Sequence, residues 1–170
     1  MDGQSKSNRS GIEIALILGR FQPFHLGHLE LIRAVKNRYK KMIIAVGSSQ
    51  EKGTSENPFD KDERKGMIKL GLESAGIFEY DIVCIDDIND DDRYVAHVES
   101  IVPKFDIIYS GNDLVLKLFK EAGYLTERFD YINREEWNGT SIRKMMLEGD
   151  DWKSMLQPEV GAFIDDIDNE

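Results

Sequence analysis

Apolar positions along the chain come in two alternating textures. Short β-branched runs read as buried strands: "IEIALILG" (Ile12 to Gly19), "MIIAVGS" (Met42 to Ser48), "YDIVCID" (Tyr80 to Asp86) and "DIIYSG" (Asp106 to Gly111). Between them the period lengthens. "HLELIRAVKNRYKK" sets Leu29, Ile32 and Val35 three apart, which predicts an amphipathic helix. "DKDERKGMIKLGLESAG" opens on Asp60 with Glu63 three residues later, a capping-box pattern, and closes on Gly76. "RYVAHVESIV" predicts a helix stopped near Pro103, and "DLVLKLFKEAG" one that ends at Gly123. "LTERFDYI" reads as a fifth, more polar strand, and "TSIRKMML", "WKSML" and "EVGAFI" as short closing helices.

Strand and helix alternating at this spacing predicts right-handed βαβ units, hence a doubly wound parallel α/β sheet of Rossmann-like type, with helices on both faces (three layers, α/β/α). The unbroken apolar strands agree, because strands buried on both faces do not alternate. In such sheets ligands bind beyond the carboxyl ends of the strands. Four loops therefore carry the search for chemistry: Gly19 to His28, Gly47 to Asp60, Asp86 to Arg93 and Ser110 to Asp113.

Composition narrows the field. The chain has 170 residues, 41% of them hydrophobic, enough for one domain with a core, expected over residues 12–168 behind a polar, disordered leader at 1–11. No apolar run approaches a membrane span and no signal-peptide segment follows the leader. A single cysteine, Cys84, excludes an internal disulfide and a four-cysteine zinc site, and agrees with a reducing cytoplasm; inside "YDIVCID" it reads as a strand residue. The net charge of −10 argues against coating nucleic acid. It leaves room for a small anion held by local arginines. The acidic blocks "DDINDDDR" and "FIDDIDNE" read as a hydrated loop and tail.

The first loop, "GRFQPFHLGHLELI", holds two of the three histidines. Gly19 lets the chain turn, and Gly27 lacks a Cβ, so a ligand could approach its backbone. His25 and His28 stand three apart, on one face if both lie on the first helical turn. A helix N-terminus offers unpaired N–H groups and partial positive charge, which suits phosphate, and imidazole N–H donors would add to that. Zinc needs further ligands that the neighbourhood does not supply, with His97 in a separate helix. A plain capping role for either histidine is the structural alternative. "NGTSIRKM" forms a second site. Asn138 or Thr140 can cap its helix, Thr140 and Ser141 can meet phosphate oxygens, and Arg143 one turn in offers a planar fork. Two helix starts, two histidines, Arg20 and Arg143 together suit a phosphoryl transition state.

The loop "GRFQPFHLGH" resembles the H-x-G-H loop of the nucleotidylyltransferase superfamily. Followed by "SSQ", "NPFDKDER", "SGNDLV" and "NGTSIRKMM", it is similar to archaeal-type nicotinamide-nucleotide adenylyltransferases from about Ile14 to Trp152. The resemblance implies adenylyl transfer from ATP to nicotinamide mononucleotide (NMN), giving NAD and pyrophosphate, with Mg²⁺ carried on the ATP phosphates and no dedicated metal ligands. It implies that His25, His28, Arg20 and Arg143 are catalytic. Gly19, Phe21, Gly27, Thr140, Ser141 and Arg64 would shape the ATP phosphate site, with Arg64 alternatively a support for the catalytic loop or a salt-bridge partner within its helix; Tyr94 and Asn112 would stand at the nicotinamide, with Tyr94 alternatively a core aromatic. Two positions depart from the family: Tyr94 stands where Trp is common, and Asn138 where the last motif usually begins with Ser. A homo-oligomer, often a hexamer, is also implied, while the cysteine count, net charge and apolar runs lead to a cytoplasmic protein with no nucleic-acid or membrane partner. Rival readings are a relative with another phosphate acceptor such as phosphopantetheine, a cytidylyltransferase, a non-catalytic nucleotide sensor and, least favoured, a zinc hydrolase.

Overall fold

A computed structural model describes residues 11–129 and 135–169. Most of the predicted leader therefore lies outside the described residues. Five strands form one parallel sheet: β1 (Ile14–Gly19), β2 (Lys41–Val46), β3 (Asp81–Cys84), β4 (Ile107–Ser110) and β5 (Leu125–Arg128). The strand order is β3-β2-β1-β4-β5, and every pairing is parallel. Chain direction across the sheet therefore reverses at β1 and β4, whose carboxyl ends diverge into a crevice.

Helices α1 (Leu26–Lys36), α2 (Lys61–Ser74), α3 (Asp91–Ile101), α4 (Asp113–Glu121), α5 (Gly139–Glu148) and α6 (Pro158–Asp168) cover the sheet. Successive β1 residues feed opposite faces. Ala15 and Ile17 pack with Ile32, Ile68, Ile142 and Val160 from α1, α2, α5 and α6. Leu16 and Leu18 pack with Val98 and Phe119 from α3 and α4. All four β1 residues are buried, so the strand is a continuous apolar run. The three-layer expectation holds. The Asp60–Glu63 capping box forms as predicted: Glu63 N–H donates to Asp60 Oδ1 (2.8 Å), and Asp60 N–H donates to Glu63 Oε2 (2.9 Å).

Two boundaries differ from the periodicity. Helix α1 stops at Lys36 rather than running to Lys41, because Lys40 and Lys41 donate their N–H groups to Glu13 O and start β2. Sheet pairing overrides local helix propensity there. The fifth strand ends at Arg128; the tail of "LTERFDYI" enters residues outside the described set. Among the described residues, no helix is long and apolar enough to cross a membrane.

Candidate active site

A cavity of about 590 Å³ opens at the carboxyl ends of the strands, lined by Gly19 at the end of β1, Gly47 after β2, Ser110 at the end of β4 and Arg128 at the end of β5. One wall carries Arg20, His25, His28 and the start of α5 (Asn138 to Thr140, with Arg143). The other carries Asp87, Tyr94, Asn112 and Val115. The cavity thus joins both ends of the chain across the sheet's crevice.

Of the two roles open to the histidines, the structure shows the cap, and it uses one nitrogen of each ring. His25 is the N-cap of α1 and stands just outside its first turn, while His28 is the third helical residue. His25 Nδ1 accepts from the Gly27 N–H (3.0 Å), and His28 Nδ1 accepts from the His25 N–H (3.1 Å). This is a capping box made from two imidazoles. A neutral ring that accepts at Nδ1 carries its proton at Nε2. Both rings are buried and stack on each other, with centroids 3.7 Å apart. Phe21 and Phe24 hold His28 from the sides. Burial, then the nearby Arg143 charge, lowers the His25 pKa to about 3. Burial, then His25, holds His28 well below the usual imidazole value. At neutral pH two uncharged imidazoles, each with its proton on Nε2, therefore stand packed in the cavity wall.

Arg143 reaches from α5 to the first loop, donating to Gln22 O (2.8 Å) and weakly to Thr140 Oγ1 (3.4 Å). Its pKa is lowered by burial and then by the Arg20 charge. Two cations are thus gathered round one space, an arrangement that an anion between them would relieve. Asn138, not Thr140, caps α5, accepting from the Ser141 N–H (2.8 Å). Thr140 lines the cavity, whereas Ser141 is outside the lining, its N–H already taken by the cap. Gly139 leaves room for Arg143, since a Cβ there would sit 2.7 Å from Arg143 Nη1.

Two sequence expectations need correction. Gly27 is buried and outside the cavity lining. A Cβ there would meet His25 Cε1 at 2.9 Å and Trp137 O at 3.0 Å. The glycine makes room for a histidine ring and the α5 approach, not for a nucleotide. Arg64 is 0% exposed and outside the lining; its guanidinium donates to six carbonyl oxygens, those of Asp60, Arg20, Gly47, Ser48, Ser49 and Glu51. With its donors engaged this way, it has none to aim at phosphate.

At the far wall, Tyr94 faces the cavity from α3 and packs edge-on against Phe119 (6.3 Å), so it is at once a lining and a core aromatic. Burial, then Asp87, pushes its hydroxyl up to about 12. Asn112 is the N-cap of α4, and its Oδ1 accepts from Leu114 N–H (2.9 Å) and Val115 N–H (3.2 Å). The cap leaves its NH2 as the group that can meet a ligand, and it can only donate.

Several lining residues escaped the sequence reading. Gln22 clamps two loops, donating to Phe59 O (2.8 Å) and accepting from Phe59 N–H (3.0 Å). Nothing in the pattern of types marks it; its burial does. Arg128, paired with Asp113, was within reach: the strand-end rule applied to the fifth strand as well as the first four leads to it. Asp87 and Ser48 stand in loops that the rule had already selected.

A family model described as cytidylyltransferase-like matches residues 16–148. A nicotinamide-nucleotide adenylyltransferase of Picrophilus torridus is 44% identical over 154 residues, covering 91% of each chain. One from Thermoplasma volcanium is 42% identical, covering 91% of this chain and 86% of that protein. Among solved structures, a bifunctional NMN adenylyltransferase/ADP ribose pyrophosphatase from Francisella tularensis, complexed with AMP and a Mn ion, is 25% identical with a TM-score of 0.72. The alignment covers 92% of this chain, and this chain spans about half (49%) of that one.

Proposed function

The chain belongs to the cytidylyltransferase-like family, and within it we propose that this protein is a nicotinamide-nucleotide adenylyltransferase, which joins ATP and NMN to give NAD and pyrophosphate. The observation that carries the reading is the cavity's two-ended build. Neutral imidazole donors and guanidinium cations stand at one wall, and an aromatic ring with an amide donor at the other.

The 5′-phosphate of NMN attacks the α-phosphorus of ATP in line, and pyrophosphate leaves. A phosphate monoester is already anionic at neutral pH, so no strong base is needed; catalysis is positioning and charge stabilisation. His28 and His25 donate Nε2–H bonds to phosphate oxygens as charge builds on them. Because these rings stay neutral and fixed, they need no reorganisation during the reaction. Arg20 and Arg143 draw the triphosphate in, and Thr140 with the α5 start completes the pocket. Tyr94 stacks on the pyridine, and the Asn112 NH2 donates to the carboxamide oxygen.

A divalent cation fits this donor set as a passenger. Among the described residues no three His, Cys, Asp or Glu side chains gather into an ion cage, and the phosphate wall is cationic. Mg²⁺ would be held by the phosphate oxygens and would supply further charge neutralisation there. We read residues 12–168 as a single domain from their length and apolar content, acting in the cytoplasm in keeping with the single cysteine, and as a homo-oligomer on the strength of the family resemblance.

The test is an assay of purified protein with ATP, Mg²⁺ and NMN, following NAD and pyrophosphate. Turnover of phosphopantetheine in place of NMN would overturn the acceptor assignment.

A further inference from the structure

We propose that Arg64 is a positioning residue for the phosphate end of the cavity, acting from behind the loops through their backbone. The argument starts from what the fork touches. Nη1 donates to Arg20 O (3.0 Å) after β1 and to Gly47 O (2.9 Å) after β2. Nη2 is shared among Ser48 O (3.1 Å), Ser49 O (3.3 Å) and Glu51 O (3.4 Å). Nε binds Asp60 O (3.2 Å) at the root of its own helix. One buried side chain therefore ties two strand-end loops to α2.

The backbone at those points explains why a clasp is needed. Phe21 (φ 53°) and Ser48 (φ 46°) are non-glycine residues in the left-handed region, and both line the cavity. Such conformations persist when surrounding structure over-determines them. Arg64 grips the carbonyl just before Phe21 and those before, at and after Ser48. It thereby fixes the turns from which the Arg20 side chain and the Ser48 backbone face the anion. Of the far wall, Tyr94, Asn112 and Val115 stand on α3, the α4 cap and α4, which Arg64 does not hold, while Asp87 is tied to the gripped loop through Gln50 Oε1 (3.1 Å). The effect therefore falls chiefly on the substrate at the phosphate end. Lysine cannot replace it, because a single ammonium has three donors at one point where the planar fork has five spread across two loops.

The inference rests on the adenylyltransferase reading for its kinetic arm only. In Arg64→Lys, assayed well below its melting temperature, KM for ATP should rise tenfold or more while KM for NMN stays within threefold. Binding of inorganic tripolyphosphate should weaken by the same factor as ATP. Equal changes in both KM values, or a lower kcat with both KM values unchanged, would overturn the proposal, because general loosening or a lost folded fraction gives those patterns. If wild-type protein does not turn over NMN, the functional reading fails, and the tripolyphosphate titration still decides the clasp. If the variant does not fold, arginine side-chain NMR of the wild type decides. Separate, solvent-protected Nη signals for one arginine are expected, and a spectrum with only averaged, fast-exchanging guanidinium signals sinks the clasp.

Discussion

His28 Nδ1 accepts the backbone N–H of His25 at 3.1 Å, while His25 Nδ1 accepts that of Gly27 at 3.0 Å. Each ring is thereby fixed as its Nε2–H tautomer, with the inner nitrogen serving the helix and the proton carried on the outer one. The two roles separate by substitution. Asparagine places an acceptor near the Nδ1 position and nothing at Nε2. His28→Asn should therefore keep α1 and lose the donor, with kcat lowered about a hundredfold or more and only a modest drop in melting temperature. Steady-state kinetics beside thermal unfolding checks this; an unchanged kcat would reduce His28 to a cap.

The same burial sets a pH dependence of stability. With His25 titrating at about 3 when folded and near 6.5 when unfolded, the unfolded chain binds the extra proton between those values. Stability is complete above about 6.5 and falls as pH drops toward 3, by up to ~1.4 kcal/mol per pH unit for each such histidine. His28, shifted in the same direction, adds to the slope. Denaturant unfolding from pH 7 to 4 should give a steeper decline for wild type than for the His25→Asn/His28→Asn double variant. Parallel curves would contradict the assignment.

Activity should follow another titration. The folded His25 and His28 rings are neutral throughout the physiological range, so an acid limb in kcat/KM belongs to the substrate monoester, whose second pKa is about 6. The limb should keep its midpoint in the His28→Asn variant. A shift of more than half a unit would mean that the ring itself titrates during turnover.

Asn112 permits a narrow test at the other wall. Aspartate caps a helix as well as asparagine, and its negative charge suits a helix N-terminus. Asn112→Asp should therefore leave the melting temperature near that of wild type. It removes the NH2, so KM for NMN should rise roughly tenfold, the loss expected of one hydrogen bond. An unaltered KM would move the carboxamide contact elsewhere.

Two glycines should respond oppositely to alanine. In Gly27→Ala the new Cβ meets a packed ring and a backbone carbonyl, at 2.9 and 3.0 Å. A destabilisation of about 1–3 kcal/mol is expected. In Gly139→Ala it meets only the tip of Arg143, at 2.7 Å, which can swing away. Stability should hold while KM for ATP rises, read by thermal unfolding and kinetics together.

Periodicity and composition by themselves determined the parallel sheet, the helices between its strands, the Asp60 cap and the loops to search. These are local matters of apolar spacing and of which side chains satisfy a helix end. The glycine, arginine and histidine loop also pointed to phosphate without coordinates. Tertiary structure decided what each residue does there. Gly27 reads as space for a ligand until the neighbouring His25 ring and a carbonyl from distant Trp137 fill that space. Arg64 reads as a phosphate contact until six carbonyls from two loops close on its fork. Gln22 carries no local signature, because its role arises from a loop 37 residues away, whereas Arg128 follows from the strand-end rule once the fifth strand is included. Spacing along a chain fixes which face a residue shares, whereas which atoms it meets depends on long-range packing. The choice between cap, clasp and ligand contact is made there.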